Sequence, residues 1–220
     1  MIDKRNLISS FTDKKTGADI SRISRMFGVS ESDIYIPVQR HTDHVQVLRF
    51  DMDRKVADAV LTRRTNVLLG VVVADCVPIL LHDPVRMVCG ALHAGWKGTA
   101  SGILKKTIHI MVKEFYSNPS DILMATGPSI RWCCYHVGRE VLDAVKLTTG
   151  DGEYHMRKGN NICLDLPSAN RVQALSKGLS EKNVLMSDEC TYCNPHKYYS
   201  YRYAKGPTGR QGGFIGMFHQ

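Results

Sequence analysis

Cys76 and His93 are the side chains in this sequence best placed to do chemistry. Cys76 interrupts the apolar run Val71–Leu81, and His93 ends the run Met87–Leu92. Apolar runs this short, bounded by Gly, Pro and Asp, read as buried strands. Asp83 and Pro84 mark a turn between them, so pairing of the two runs would bring thiol and imidazole together. Gly95, Gly98 and Gly102 would let backbone approach a ligand without side-chain clash. A thiol and an imidazole on rigid strands suit either a metal site or a nucleophilic Cys–His pair. An inert buried thiol beside a structural histidine is equally compatible with the residues alone.

Other candidates carry weaker signals. His41 and His44 are three apart, but Ile34–Gln39 and Val45–Phe50 read as strands, so the two imidazoles need not converge, and His44 reads as an exposed loop residue. Cys133-Cys134 is a vicinal pair whose side chains would point apart on any regular element. Cys190-Thr-Tyr-Cys193 is a lone Cys-x-x-Cys with no second pair at zinc spacing, so these cysteines are expected to be ordinary ones. Arg202, Lys205 and Arg210 crowd the Gly-Pro turn of an expected C-terminal hairpin. Guanidinium groups beside glycines suit phosphate, and a basic exposed loop is the alternative.

Around these residues strands and helices interleave without strict alternation. Leu7–Thr12, Ile122–Thr126, Ile162–Leu166 and Asn183–Met186 read as strands. Asp19–Phe27 reads as a helix stopped at Gly28. Leu104, Ile108, Met111 and Phe115 form one face of a helix over Gly102–Phe115, capped by Thr99 or Ser101. Arg139–Leu147 is an expected helix, and Pro167 fits the first turn of another that runs to about Lys177. Asp53–Arg64 reads as strand edge or loop, and Leu147–Asn160 as a mobile loop. The pattern predicts one α+β domain over 1–220 with a mixed β-sheet core flanked by helices.

The chain has 220 residues, 43% of them hydrophobic, which suits a globular protein. Its 29 basic and 21 acidic residues give a net charge of +8 and favour anionic partners. No long basic run or RNA-binding signature accompanies that charge, so nucleic acid is not expected. The first residues hold no apolar signal core and no run reaches membrane-spanning length, so a cytoplasmic protein with no membrane partner is expected. Seven cysteines cannot all pair with one another, which fits reduced thiols.

Several motifs occur in an order that resembles a known family. They are Ala74-Asp75-Cys76-Val77-Pro78-Ile79, His93-Ala94-Gly95-Trp96-Lys97-Gly98, Gly127-Pro128-Ser129-Ile130, Cys134-Tyr135-His136-Val137-Gly138, Leu164-Asp165-Leu166 with Asn170, and Ser200-Tyr201-Arg202 with Thr208-Gly209-Arg210. They resemble the laccase-domain family, also called the polyphenol oxidase or purine nucleoside phosphorylase family, over nearly the whole chain. The resemblance implies a fold of the cytotoxic-necrotizing-factor-like cysteine hydrolase type. It also implies a catalytic and metal-binding set of His41, Cys76 and His93, with His41 rather than His44 as the first histidine.

The activity implied is phosphorolysis of adenosine, inosine, guanosine and methylthioadenosine, with deamination of adenosine. Purine nucleosides and phosphate would be the partners, and Lys97, Arg202 and Arg210 are candidates to hold the phosphate. A His₂Cys set with an open position suits Zn²⁺ better than copper. None of the nine histidines lies two residues from another, whereas multicopper oxidases carry several His-x-His pairs. A metal-free Cys–His amidase acting on a cell-wall precursor is the alternative, and phenol oxidation is the reading the family name suggests. Arg40, Lys97, Arg131, Trp132 and His136 depart from the family pattern.

Overall fold

The structure, a computed structural model, describes residues 7–219. Met1–Asn6, read above as lacking a signal core, lie outside the described residues. In chain order the elements are β1 (Leu7–Phe11), α1 (Ile20–Phe27), β2 (Ile34–Tyr35), β3 (Val45–Val47), β4 (Ala59–Thr62), β5 (Val67–Val73), β6 (Val77–Asp83) and β7 (Val88–Ala94). Then follow α2 (Trp96–Ala100), α3 (Ile103–Phe115), β8 (Leu123–Thr126), β9 (His136–Val137), α4 (Arg139–Thr149), β10 (His155–Lys158) and β11 (Asn161–Leu164). The last are α5 (Leu166–Ser176), β12 (Val184–Met186), α6 (Tyr201–Ala204) and β13 (Gln211–Met217).

Two mixed sheets form the centre. One has the order β1-β13-β5-β2, the other β12-β8-β6-β7-β4-β3, and a small sheet β10-β11-β9 stands apart. Side-chain alternation sorts the layers. In β5, Val67, Leu69 and Val71 join a buried cluster with Leu80 of β6 and Cys89 and Ala91 of β7, so this cluster fills the space between the sheets. Leu68 and Val72 of β5 face the other way, onto Ile23 of α1. Val77, Ile79 and Leu81 of β6 pack with Leu104, Ile108 and Met111 of α3 and with Val145 of α4. The order of layers is therefore α1, four-stranded sheet, six-stranded sheet, then α3, α4 and α5. Strands covered on both faces need continuous apolar runs, which is why β5 and β6 lack polar alternation.

The expected α+β class with mixed sheets flanked by helices matches this architecture. The α3 stripe faces the core as its spacing predicts, and Gly28 ends α1 in the left-handed conformation. Four local expectations need correction. The Val71–Leu81 run is two strands in two sheets, broken at Ala74–Cys76, because Asp75 turns the chain at φ 90°. Asp53–Arg64 contains β4, an interior strand of the larger sheet whose Val60 and Leu61 are wholly buried. Leu147–Asn160 includes the end of α4 and β10, anchored by buried Tyr154. The tail is not a hairpin: Ser200 caps the short helix α6, and β13 pairs with β1 and β5.

Helix α3 is also capped differently. Thr99 lies inside α2, its hydroxyl accepts from Asn170, and Gly102 in the left-handed region starts α3. Among the described residues no helix is long and apolar enough to cross a membrane.

Candidate functional site

The break between β5 and β6 creates the site. Where the chain crosses from one sheet to the other, Cys76 is presented beside β7, and antiparallel pairing sets His93 opposite Pro78, two residues beyond it. His41 arrives from the loop between β2 and β3. One ligand atom each from His41, Cys76 and His93 lie within 4.8 Å of one another. The imidazoles of His41 and His93 meet edge to face, with centroids 4.8 Å apart. The expected convergence of Cys76, His93 and His41 is thus present, and His44 is exposed outside it.

A residue given no role by the sequence reading organises this triad. Asp58 is wholly buried at the end of the loop before β4. Its Oδ1 accepts from His93 Nδ1 at 2.8 Å and from the His41 N–H at 3.0 Å. Its Oδ2 accepts from the N–H groups of Arg40 and Thr42 and from the Thr42 hydroxyl. These bonds fix His41 in the left-handed region at φ 58°, which a histidine adopts only at a cost. With Nδ1 committed to Asp58, Nε2 is the nitrogen His93 has left for Cys76 and His41. A carboxylate inside the apolar stretch Val56–Leu61 was the available signal.

Electrostatics follow from that geometry. Burial alone would raise the Asp58 pKa, but the hydrogen bonds from His93, Thr42 and Arg40 hold it far below the usual carboxylate range. Burial also opposes ionisation of Cys76 and His93. Each overcomes it through the other: His93 and His41 bring the Cys76 thiol down to about 6. Cys76 and Asp58 lift His93 to about 9. The pair therefore favours thiolate and imidazolium near neutral pH. An ion held by this set would displace the Nε2 proton of the His93 imidazolium, because a metal ligand must offer a lone pair.

The triad opens into a cleft of about 500 Å³ whose walls include Gln39, Val72, Ile130, Tyr135, Tyr201, Arg202 and Arg210. Gln39 bonds Val72 through both its amide oxygen and nitrogen, which extends the β2–β5 pairing toward His41. Asp75 accepts from the Thr191 hydroxyl at 2.5 Å and from the Arg202 N–H at 2.8 Å. It thereby joins the turn before Cys76 to the tail. The Arg202 guanidinium lies over the Tyr135 ring, 5.3 Å from its centroid, and reaches the His136 carbonyl. Burial and the nearby Cys76 thiolate push the Tyr135 phenol up to about 12, so it stays neutral.

Of the expected anion-binding residues, Arg202 and Arg210 line the cleft and Lys97 does not. Lys97 is exposed on α2 with its ammonium over Trp96. Gly95 serves close packing: a Cβ there would sit 2.9 Å from Cys76 Sγ and 3.3 Å from His41. Cys190 and Cys193, expected to be ordinary cysteines, lie together with the vicinal pair: Sγ atoms of Cys133, Cys134, Cys190 and Cys193 are within 4.8 Å of one another. The objection that vicinal cysteines point apart fails because Arg131–Cys134 is a turn, closed by the Cys134 N–H on the Arg131 carbonyl.

The fold and site define an α+β protein with a His₂Cys donor set, braced by a buried aspartate, at the seam between two sheets. The chain belongs to the family described as multi-copper polyphenol oxidoreductase laccase, whose model matches residues 3–218. It is 38% identical over 165 residues to purine nucleoside phosphorylase YlmD of Bacillus subtilis, covering 74% of this chain and 59% of that protein. It is 31% identical over 211 residues to adenosine deaminase RL5 of an unknown prokaryotic organism, covering 90% of this chain and 79% of that one. The crystal structure of YlmD from Geobacillus stearothermophilus superposes with a TM-score of 0.90 at 28% identity, covering 97% of this chain and 93% of that one.

Proposed function

We propose that this chain is a purine nucleoside enzyme, catalysing phosphorolysis of adenosine, inosine, guanosine and methylthioadenosine and deamination of adenosine. The observation that carries this reading is the convergence of His41, Cys76 and His93 at the base of a cleft that two arginines also line. Relatives named purine nucleoside phosphorylase and adenosine deaminase support it. Two imidazoles and a thiolate fit Zn²⁺ in a three-ligand catalytic arrangement, and Asp58 is the carboxylate partner that orients a ligating histidine. Zinc held by these three residues would supply Lewis-acid activation of water at neutral pH.

The chain's own groups do the rest. Tyr135, Ile130 and Val72 offer apolar surface to a purine. Arg202 and Arg210 hold phosphate and offset charge at the glycosidic bond. Asp58 keeps His93 and the His41 loop in register, so the reacting groups need no reorganisation. The whole chain acts as a single catalytic domain on small-molecule partners, and the cytoplasm, where thiols stay reduced, is the compartment we assign.

Copper chemistry on phenols is the weaker reading. Four-electron oxygen reduction uses a multi-copper cluster, and among the described residues only one histidine-containing group of three or more donors was found. A Cys–His hydrolase is the second reading, and it goes with the cytotoxic-necrotizing-factor-like cysteine hydrolase fold type. Its specific support is the thiolate–imidazolium pair of Cys76 and His93, which is what nucleophilic attack on an amide of a cell-wall precursor requires.

Metal analysis of the purified protein, with chromatography of adenosine incubated with and without phosphate, tests the proposal. Adenine formed only with phosphate, inosine formed without it, and loss of both in His41→Ala are the expected results. Unchanged adenosine in the presence of bound zinc would overturn it.

A further inference from the structure

Four of the six cysteines outside the cleft, Cys133, Cys134, Cys190 and Cys193, form a second donor set. Cys133 and Cys134 sit on the Arg131–Tyr135 turn. Cys190 and Cys193 sit on a turn closed by the Asn194 N–H on the Cys190 carbonyl. Cys134 Sγ is 3.3 Å from Cys193 Sγ, and Cys133 Sγ is 3.7 Å from it. All four thiols are free. A tetrahedral zinc–thiolate centre with bonds of about 2.3 Å places its sulfurs about 3.8 Å apart, whereas a disulfide brings two of them to about 2.05 Å. Both separations lie nearer the first arrangement, and the 3.7 Å one matches it.

The surroundings fit a metal centre. The Arg131 N–H points at Cys190 Sγ at 3.5 Å, the kind of backbone donor that steadies a ligating thiolate. Cys190 is buried, Cys134 half-buried, and Cys133 and Cys193 exposed, so an ion has a path from solvent. Two short turns, far apart in sequence, are held side by side here, joined through the bridge between Ser129 and Cys190.

We infer that Cys133, Cys134, Cys190 and Cys193 bind one zinc ion as a closed tetrathiolate site, distinct from the His41–Cys76–His93 set. Binding would release the thiol protons to solvent and leave no open position, so the ion is structural. Its location gives it a task. One turn continues into Tyr135 in the cleft wall, and the other carries Thr191, which holds Asp75 beside Cys76. The ion would tie these two turns together.

The test is zinc stoichiometry of the intact chain, purified under reducing conditions, stripped with chelator and reloaded with zinc alone. Wild type should bind two equivalents. Cys190→Ser with Cys193→Ser should bind one, and His41→Ala should lose the other. If the double cysteine variant fails to fold, peptide-resolved alkylation of wild type serves instead. Zinc should then protect Cys133, Cys134, Cys190 and Cys193 together, in addition to Cys76. A zinc content unchanged between wild type and the double cysteine variant, four unprotected cysteines, or a Cys134–Cys193 disulfide in the reduced and reloaded protein would each overturn the assignment, whereas one equivalent that the double variant loses would keep it and overturn zinc at the His41 set.

Discussion

Asp58 carries more of the site than any of the three residues around it. Its two oxygens accept from five groups on two segments, and every one of those groups is a donor. Asp58→Asn preserves shape but turns one oxygen into an NH₂, which must then face donors whichever way the amide lies. Removing one member of a buried charged network costs about 3–5 kcal/mol, and losing a carboxylate behind a metal-ligating histidine costs roughly 10–100-fold in affinity. Thermal unfolding and zinc competition should show both losses together. Gly95 tests packing alone, since an added methyl meets Cys76 Sγ and His41 before it meets any backbone of the core. Gly95→Ala should leave the melting temperature near wild type and cut activity roughly 10–100-fold, the effect of displacing a reacting group by about 1 Å. An unaffected rate would show that the triad tolerates the shift.

Arg210 offers a way to separate the two proposed chemistries of the cleft. Among the described residues its guanidinium bonds only carbonyls of its own loop, at Thr208 and Gly209, so removing it breaks no hydrogen bond to a distant segment there. Arg210→Ala should raise the KM for phosphate in phosphorolysis while leaving phosphate-independent deamination much less changed. Equal loss of both would assign Arg210 to nucleoside binding or to the fold.

At the scale of elements, the site depends on how loops are pinned to strands. Asp165 shows the pattern: it caps α5 through Ser168 and also accepts from Arg131 Nε at 2.8 Å and from the Trp132 N–H. The ion pair is largely buried, and its partners hold the Asp165 carboxyl below the usual range against the opposing effect of burial. Asp165→Ala should therefore cost about 3 kcal/mol or more and lower the melting temperature by roughly 10 °C. A shift of a degree or two would mean that the Arg131 turn is held by other contacts. Arg131 thus has a structural reason to be there.

Periodicity made α1, α3 and most strands legible, because each buries one stripe or one whole run, and Pro167 marked the start of α5. It failed where a polar residue redirects the chain. Asp75 splits one apolar run between two sheets, and Asp58 hides at the edge of an interior strand behind charged neighbours. The cysteine cluster was invisible for a related reason: pairing of Cys133-Cys134 with Cys190 and Cys193 comes from two turns meeting in space, and no local spacing encodes that meeting.

For the whole molecule, the seam between two sheets is where loops from distant parts of the chain can converge without interrupting a core. His41, Cys76, His93, Tyr135 and Arg202 come from five separate segments and meet only because β5 and β6 belong to different sheets. The net charge of +8 adds a long-range attraction for phosphate that weakens with salt. We propose this seam as a purine nucleoside site whose chemistry runs through the His₂Cys set. The most direct measurement follows adenosine by chromatography with zinc-loaded wild type and Cys76→Ala, in the presence and absence of phosphate. Wild type should give adenine with phosphate and inosine without it, and Cys76→Ala neither; adenosine left intact by wild type, or turned over equally by both proteins, would overturn this assignment.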